Sequence, residues 1–206
     1  MFFRPRPQIA LAVLFVSTAI PAFSQVGPEG RGGGLPLSVG AGVSDYDVDW
    51  GHGRMMGATL WIDAQPVPLP RILNGLGVES EARDISLNRP NTVPSNFRLD
   101  TAGGGFTYHL NHFRNLKPYA KFEVDYGSID WNNPDPRFKH ETRNVLAPGG
   151  GLDYRILRSV WLRADYEYQS WPDIDKLRPN SSHILDPNGL TIGALYDFRR
   201  RDTNSR

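Results

Sequence analysis

Apolar and polar side chains alternate residue by residue through several short segments of the chain. Tyr119–Tyr126 and Val160–Gln169 show this most clearly, since their even positions are almost all apolar and their odd positions mostly polar or charged. Leu37–Val43 and Val78–Arg83 show weaker versions of the same pattern. Because a period of two places successive side chains on opposite faces of a β-strand, these segments are predicted strands with one apolar face.

A second set of predicted strands repeats one motif, which begins with glycine and usually has tyrosine at its fourth position. Gly105–Leu110, Gly151–Ile156 and Gly193–Phe198 carry it, and Gly57–Ile62 is a looser copy. Successive copies are separated by about two strands and two connections. A hairpin-by-hairpin repeat of this kind predicts an up-and-down antiparallel barrel.

The predicted connections alternate in length. The longer ones are rich in Pro, Asn and Asp and are Ser86–Asn96, Asp130–Glu141 and Ser170–Pro187. The shorter ones are Asn111–Lys117 and Leu157–Ser159. Short turns at one rim and long loops at the other are typical of outer-membrane barrels. Two connections depart from this pattern, because Asp49–Gly53 is short and Gln65–Asn74 is long.

The first part of the chain has the three features of a secretory signal. Arg4 and Arg6 are followed by the apolar run Ile9–Ile20 and then by small residues before a cleavage site between Ser24 and Gln25. The run is shorter than the roughly 20 residues that cross a bilayer. We therefore predict a signal peptide (1–24), a flexible lead-in (25–34), a barrel (35–198) and a short periplasmic tail (199–206).

Composition narrows the class of protein further. The 206 residues include no cysteine, which excludes a disulfide framework and a thiolate zinc site. The formal net charge of +1 argues against nucleic-acid binding, because nucleic-acid-binding domains usually have a strongly basic surface. No segment after the predicted signal has the roughly 18 consecutive apolar residues of a helical membrane span. A barrel or a soluble exported protein remains.

The alternation leaves open which strand face points inward. A soluble barrel buries its apolar face, whereas a membrane barrel turns that face to lipid. Aromatic residues near strand ends suit the membrane interfaces, and mixed charges on the polar face suit pairing across a narrow lumen. The predicted lipid-facing residues are Phe122, Val124, Tyr126, Leu162, Tyr166, Tyr168, Tyr196 and Phe198. The predicted lumen charge network is Glu79, Glu81, Arg83, Lys121, Glu123, Asp125, Asp153, Arg155, Arg163, Asp165 and Glu167.

The chain resembles the small outer-membrane β-barrel family of the outer-membrane-protein-A and opacity-protein type. The resemblance rests on Lys117–Phe122, Arg163–Gln169, the Gly-x-x-Tyr strands and the Tyr196-Asp197-Phe198 ending. It implies an all-β, eight-stranded transmembrane barrel, inserted by the outer-membrane assembly machinery through a C-terminal aromatic signal. The chain departs from the family pattern in one respect, because Arg199–Arg206 follow the terminal aromatic residue.

Candidate chemistry is sparse. His52, His140 and His183 fall in predicted outer loops, where a lipid-modifying enzyme would act, but no set of residues resembles a lipid A deacylase or acyltransferase motif. His109 and His112 do not share a strand face, and no third metal ligand accompanies them. We therefore predict no catalytic residue, no metal site and no cofactor.

These observations predict a bacterial protein of the cell outer membrane with a structural or surface-interaction role. The charged side chains would plug the lumen. Its expected partners are outer-membrane lipid and lipopolysaccharide, the assembly machinery during biogenesis, and an extracellular ligand reached through the long loops. A narrow small-solute channel and a lipid-modifying enzyme remain the alternatives.

Overall fold

A computed structural model of the protein describes residues 37–48, 53–65, 73–88, 96–110, 113–131, 140–172 and 185–198. The predicted cleavage site at Ser24 and Gln25, the lead-in and the tail lie outside these residues, so those boundaries stay predictions. Within the described part, no helix is both long enough and apolar enough to cross a membrane.

The described chain forms eight antiparallel strands in one closed barrel. Each strand pairs with the next along the chain, and β1 pairs with β8 to close the ring. The strands are β1 (Leu37–Asp47), β2 (Arg54–Ala64), β3 (Leu76–Asn88), β4 (Asn96–His109), β5 (Leu116–Trp131), β6 (His140–Arg155), β7 (Val160–Tyr168) and β8 (Asn188–Asp197). The predicted eight-stranded up-and-down barrel is confirmed.

The apolar face of the strands points outward. Phe106 is 63% exposed, Ile192 58% and Val124 51%, whereas the charged residues at alternate positions are buried. All eight predicted lipid-facing residues, from Phe122 to Phe198, are between 40% and 54% exposed. Such a continuous apolar exterior around buried charged side chains is the inside-out arrangement of a membrane barrel.

The strands run further than the sequence predicted at one end. β3 continues to Asn88 and pairs there with Asn96, and β5 pairs with β6 up to Asp130 opposite His140. The predicted loops Ser86–Asn96 and Asp130–Glu141 were therefore wrong in extent. Their Asn and Asp residues favour turns, but the antiparallel pairing continues through them.

The third predicted loop, Ser170–Pro187, is also partly ordered by the barrel. Ser170 bridges to Leu146 and Trp171 bridges to Leu185, while the Gln169 amide donates to the Pro187 carbonyl at 2.7 Å. These contacts bring the beginning and the end of this segment onto the barrel.

The two ends of the barrel, which we call the turn rim and the loop rim, differ in the connections they carry. The turn rim carries connections 65–75, 110–115 and 156–159, and both Leu37 and Asp197 lie there. The loop rim carries the four remaining connections. In outer-membrane barrels the shorter turns face the periplasm and the loops face outward.

Inward glycines make room for large interior side chains. The indole of Trp61, which is 2% exposed, packs against the Cα positions of Gly40, Gly42 and Gly193, where a Cβ would overlap its ring atoms. Gly189 makes the same space for Tyr46. Of the four glycines that begin the predicted repeat, Gly193 is the one that makes room for the Trp61 ring, whereas Gly57 and Gly105 lie against the backbone of the neighbouring strand.

Candidate functional site: the barrel interior

Lys121 lies at the centre of the interior and contacts carboxylates from three different strands. Its Nζ is 2.7 Å from Glu167, 2.8 Å from Glu81, 3.1 Å from Glu123 and Asp165, and 3.6 Å from Glu79. β3 and β7, which supply four of these carboxylates, are not neighbours of β5 in the sheet. The ammonium group therefore ties opposite walls of the barrel together.

Two arginines extend this network on either side of Lys121. Towards the turn rim, Arg163 contacts Glu79 at 2.5 Å, Asp63 at 2.8 Å and Asp153 at 2.9 Å. Towards the loop rim, Arg83 pairs with Glu81 and with Glu167, the latter at 2.6 Å. Bidentate contacts of this kind suit the planar guanidinium group. We call the whole set the ionic layer: Asp63, Glu79, Glu81, Arg83, Lys121, Glu123, Asp125, Asp153, Arg163, Asp165 and Glu167.

Neutral side chains bind the ionic layer to the wall. The Tyr119 hydroxyl donates to Asp165 at 2.5 Å, and the Tyr46 hydroxyl donates to Glu167 at 3.2 Å. Both rings also lie 4.5 Å from a guanidinium carbon, Tyr46 under Arg83 and Tyr119 under Arg163. These contacts satisfy charged groups that would otherwise be desolvated at high cost.

Acidic groups outnumber basic ones in this interior. Among the described residues nine carboxyl groups are buried, Asp63, Glu79, Glu81, Glu123, Asp125, Asp153, Asp165, Glu167 and Asp197, against the three cations Arg83, Lys121 and Arg163. Asp63 Oδ1, Glu123 Oε1 and Asp125 Oδ1 accept no hydrogen bond from the described residues. Because uncompensated buried charge is very costly, we expect protons or small cations to make up part of the balance.

Two groups of carboxylates have the spacing of a metal site, but Lys121 occupies their shared centre. The groups are Glu79, Glu81 and Glu123, and Glu81, Asp165 and Glu167. All five residues contact the Lys121 ammonium. The ammonium is thus already the cation of this cluster.

A second, apolar layer lies between the ionic layer and the loop rim. It consists of Tyr46, Val48, Met55, Ile85, Leu87, Phe97, Leu99, Ile129, Val145, Trp171 and Leu185, each at most 5% exposed. Trp171 Nε1 donates to Gln169 at 3.0 Å, and Gln169 donates to Glu167 at 2.9 Å, which connects the two layers. We call this cluster the apolar layer.

Sequence reasoning missed the apolar layer because most of its residues lie near strand ends assigned to loops or in segments left unassigned. The signal was present in the spacing of Ile85 with Leu87 and of Phe97 with Leu99, where the period of two continues. The interior was predicted to be ionic, and that holds only for its middle.

The turn rim end of the interior contains both polar and apolar side chains around a small cavity. This cavity has a volume of about 20 Å³ and is lined by Asp63, His109 and Asp153 among other residues. That space suits about one water molecule. Trp61, Trp161 and Leu195 form a small apolar cluster near this end.

Most of the predicted charge network is brought together. Glu79, Glu81, Arg83, Lys121, Glu123, Asp153, Arg163, Asp165 and Glu167 all make ion pairs within the ionic layer. Asp125 is buried beside them at 3% exposure. Asp63, which accepts from Arg163, was not predicted, although it alternates with Thr59 and Trp61 on the inward face of β2.

Arg155 is a correction to the predicted network. It lies at the last position of β6, where the strand reaches the turn rim, so its side chain is beyond the ionic layer. Its guanidinium donates to Asn115 Oδ1 at 3.1 Å and lies 5.8 Å from the Trp161 ring.

The described histidines have structural neighbours. His109 is buried, with its ring centroid 5.1 Å from that of Tyr119 and its Nε2 3.5 Å from Asp153. His140 is outside the barrel and its Nδ1 lies 2.8 Å from Asp130 on the paired strand. His140 is therefore a strand residue rather than the predicted loop residue. His52, His112 and His183 lie outside the described residues.

Comparison with known proteins supports the same architecture. The family model described as outer membrane protein beta-barrel domain matches residues 9–198. Neisserial surface protein A is 19% identical with a TM-score of 0.56, and the alignment covers 82% of this chain and 100% of that one. OprG from Pseudomonas aeruginosa is 12% identical with a TM-score of 0.51, covering 82% and 98%.

A third solved structure, a major outer membrane protein from Thermus thermophilus, is 12% identical with a TM-score of 0.51 and covers 79% of this chain and 99% of that one. The curated proteins include no significant match. At these low sequence identities the structural similarity establishes only the fold. The match to the family model establishes the family. The chain belongs to the outer membrane protein β-barrel domain family and is a bacterial protein of the outer membrane.

Proposed function

We propose that this protein is a closed outer-membrane barrel with a structural or surface-interaction role, and that it conducts no solutes. The observation that carries the proposal is the stacking of two layers across the lumen. The ionic layer joins opposite walls through Lys121, and the apolar layer covers it on the side of the loop rim.

The two layers would obstruct a solute for different reasons. Leu99, Ile129 and Trp171 have no exposed surface, so an ion passing the apolar layer would lose hydration without gaining a partner. In the ionic layer Lys121 would have to leave carboxylates on several strands at once. Eight strands also give an interior that side chains can fill.

A liposome-swelling assay tests the closure. Full-length protein is reconstituted and the swelling rate in glucose is compared with that of empty liposomes. We expect equal rates. The double variant Met55→Ala/Trp171→Ala removes bulk from the apolar layer but leaves the ionic layer across the lumen, so it should also swell at the rate of empty liposomes, and heat-modifiable gel mobility shows that it is folded. Glucose-dependent swelling by the unmodified protein would favour the narrow-channel alternative.

The loop rim supports a role at the surface. Several strands continue beyond the apolar exterior, and their outer face there is polar: Arg98 pairs with Asp84 at 2.6 Å and with Asp100 at 2.9 Å. The side chains of Arg98 and Asp84 are 41% and 56% exposed, so this pair remains accessible from outside the barrel. This polar collar would lift the loops into the lipopolysaccharide layer, where an extracellular ligand could reach them.

We also propose that the protein has no lipid-modifying activity. The two described histidines are engaged with Asp153 and Asp130 in structural contacts. Mass spectrometry of lipid A and phospholipid from overexpressing cells should show an unchanged profile. A new lipid product that disappears in the His140→Ala variant would instead support the enzyme alternative.

The assembly machinery remains a proposed partner through the end of β8. The rings of Tyr196 and Phe198 are both outward and their centroids are 4.8 Å apart. We expect a Phe198→Ser variant to accumulate in the periplasm, while a Leu190→Ser variant on the same outward face inserts normally.

A further inference from the structure

Two neighbouring turns at the turn rim expose an unusual combination of apolar and cationic side chains. Their backbones are linked, because the Arg155 amide donates to the Asn115 carbonyl at 2.8 Å. Leu157 is 63% exposed and Phe113 53% exposed. We call this surface the turn patch: Leu110, Phe113, Arg114, Ile156, Leu157 and Arg158.

The cations of the turn patch have no acidic partner among the described residues. Neither Arg114 nor Arg158 forms an ion pair there, and both side chains are exposed. The carboxyl groups described at this rim, those of Asp63, Asp153 and Asp197, are buried in the interior and at most 7% exposed. The exposed charge that the structure describes here is therefore positive.

The loop rim has the opposite character. There Arg54 pairs with Asp45 at 2.8 Å, Arg98 pairs with two aspartates, and Arg143 pairs with Glu141. The arginines described at the loop rim are thus neutralised by neighbouring carboxylates. Within the described part of the chain, the arginines of the turn patch have no such acidic neighbour and are therefore available to an external anion.

The position of the turn patch identifies what kind of anion it meets. The patch continues the apolar exterior: Tyr154 is 53% exposed and lies directly before Arg155 on β6, and Leu110 follows β4. Exposed apolar groups next to arginines suit the boundary between acyl chains and phosphate groups. Water-soluble anions would not account for the exposed Phe113 and Leu157.

We propose that the turn patch binds the phosphate groups of anionic phospholipids in the membrane leaflet that faces the turn rim. Arg114 and Arg158 bind phosphate, while Phe113, Ile156 and Leu157 insert at the top of the acyl chains.

The test measures lipid binding to the full-length barrel by native mass spectrometry in a neutral detergent. Short-chain phosphatidylglycerol is compared with phosphatidylcholine of the same chain length. We expect tighter binding of phosphatidylglycerol, weakened by added salt. The double variant Arg114→Gln/Arg158→Gln should weaken it roughly 25-fold, since each cation near an anionic surface contributes about 5-fold.

Matched variants separate this site from general charge. Arg54→Gln/Arg98→Gln removes two exposed arginines from the loop rim and should leave phosphatidylglycerol binding unchanged. Arg114→Lys/Arg158→Lys should retain most of it, and gel mobility before and after heating shows that each variant is folded. Equal binding of the two lipids by the unmodified barrel, binding of lipid A but not phosphatidylglycerol, or equal losses in the two glutamine variants would each overturn the proposal.

Discussion

Replacing Lys121 by methionine should cause the largest loss of stability of any single change in the ionic layer. Methionine keeps the length and apolar stem of the side chain but removes the charge. Five carboxylates lie 2.7–3.6 Å from the lysine nitrogen, so the change leaves them with only Arg83 and Arg163 as buried cations among the described residues. Removing one partner of a buried ion pair typically costs about 3–5 kcal/mol. Because Lys121 is the partner of several carboxylates at once, its removal should cost an amount near the upper end of this range.

The assay is urea unfolding of the barrel in lipid vesicles, followed by tryptophan fluorescence and by gel mobility. We expect the midpoint to fall by an amount equivalent to about 5 kcal/mol with an unchanged slope. Lys117→Met on the same strand is the matched control. Its ammonium lies 4.2 Å from the Trp161 ring at the turn rim, outside the ionic layer, and the change should lower the stability much less than Lys121→Met does.

A companion variant tests the excess of acidic groups. Glu123→Gln removes one carboxylate while keeping its shape, and the variant should be at least as stable as the unmodified protein. Glu123 is 0% exposed and pairs with Lys121. If each buried ion pair stabilised the barrel independently, the Glu123→Gln variant would instead be clearly less stable than the unmodified protein. A Lys121→Met barrel within about 1 kcal/mol of the original would refute the central role given to that ammonium.

Three further changes probe the remaining layers. Gly193→Leu should prevent folding because its side chain would overlap the Trp61 ring, whereas Ala194→Val on the outward face should fold; a heat-modifiable Gly193→Leu barrel would contradict this packing. Trp171→Ala should lower the free energy of unfolding in vesicles by about 3–5 kcal/mol, since it leaves a cavity in the apolar layer, and a decrease below about 1 kcal/mol would count against the packing of that layer. Phe122→Arg should destabilise by about 2–4 kcal/mol on the lipid face, while Asn144→Arg beyond it should cost about 1 kcal/mol or less, and equal costs would place the lipid boundary elsewhere.

The sequence predicted the fold well because strand alternation is a local property. In Tyr119–Tyr126 the odd and even positions already separate Lys121 and Glu123 from Phe122 and Val124. The outward direction of the apolar face followed from aromatic placement and mixed charge, without knowledge of any partner strand.

The interior layers could not be predicted in the same way, because alternation assigns a face but not a height along the barrel. Lys121 meets Glu81 and Glu167 across the lumen only because of the register of several strand pairs. Arg155 lies on the same inward face of β6 as Asp153. It is the next inward position towards the turn rim, however, and its side chain therefore lies beyond the ionic layer. Turn-forming residues near Asn88 and Asp130 also concealed the continuation of the strands.

Closure of the lumen by the ionic and apolar layers is tested most directly by single-channel recording in a planar lipid bilayer. The full-length barrel, inserted in concentrated potassium chloride, should give no steady current above the bare bilayer, and Met55→Ala/Trp171→Ala should not conduct either, because the ionic layer still crosses its lumen. Uniform current steps from the unmodified protein, of constant amplitude and reproducible between preparations, would contradict the closed barrel.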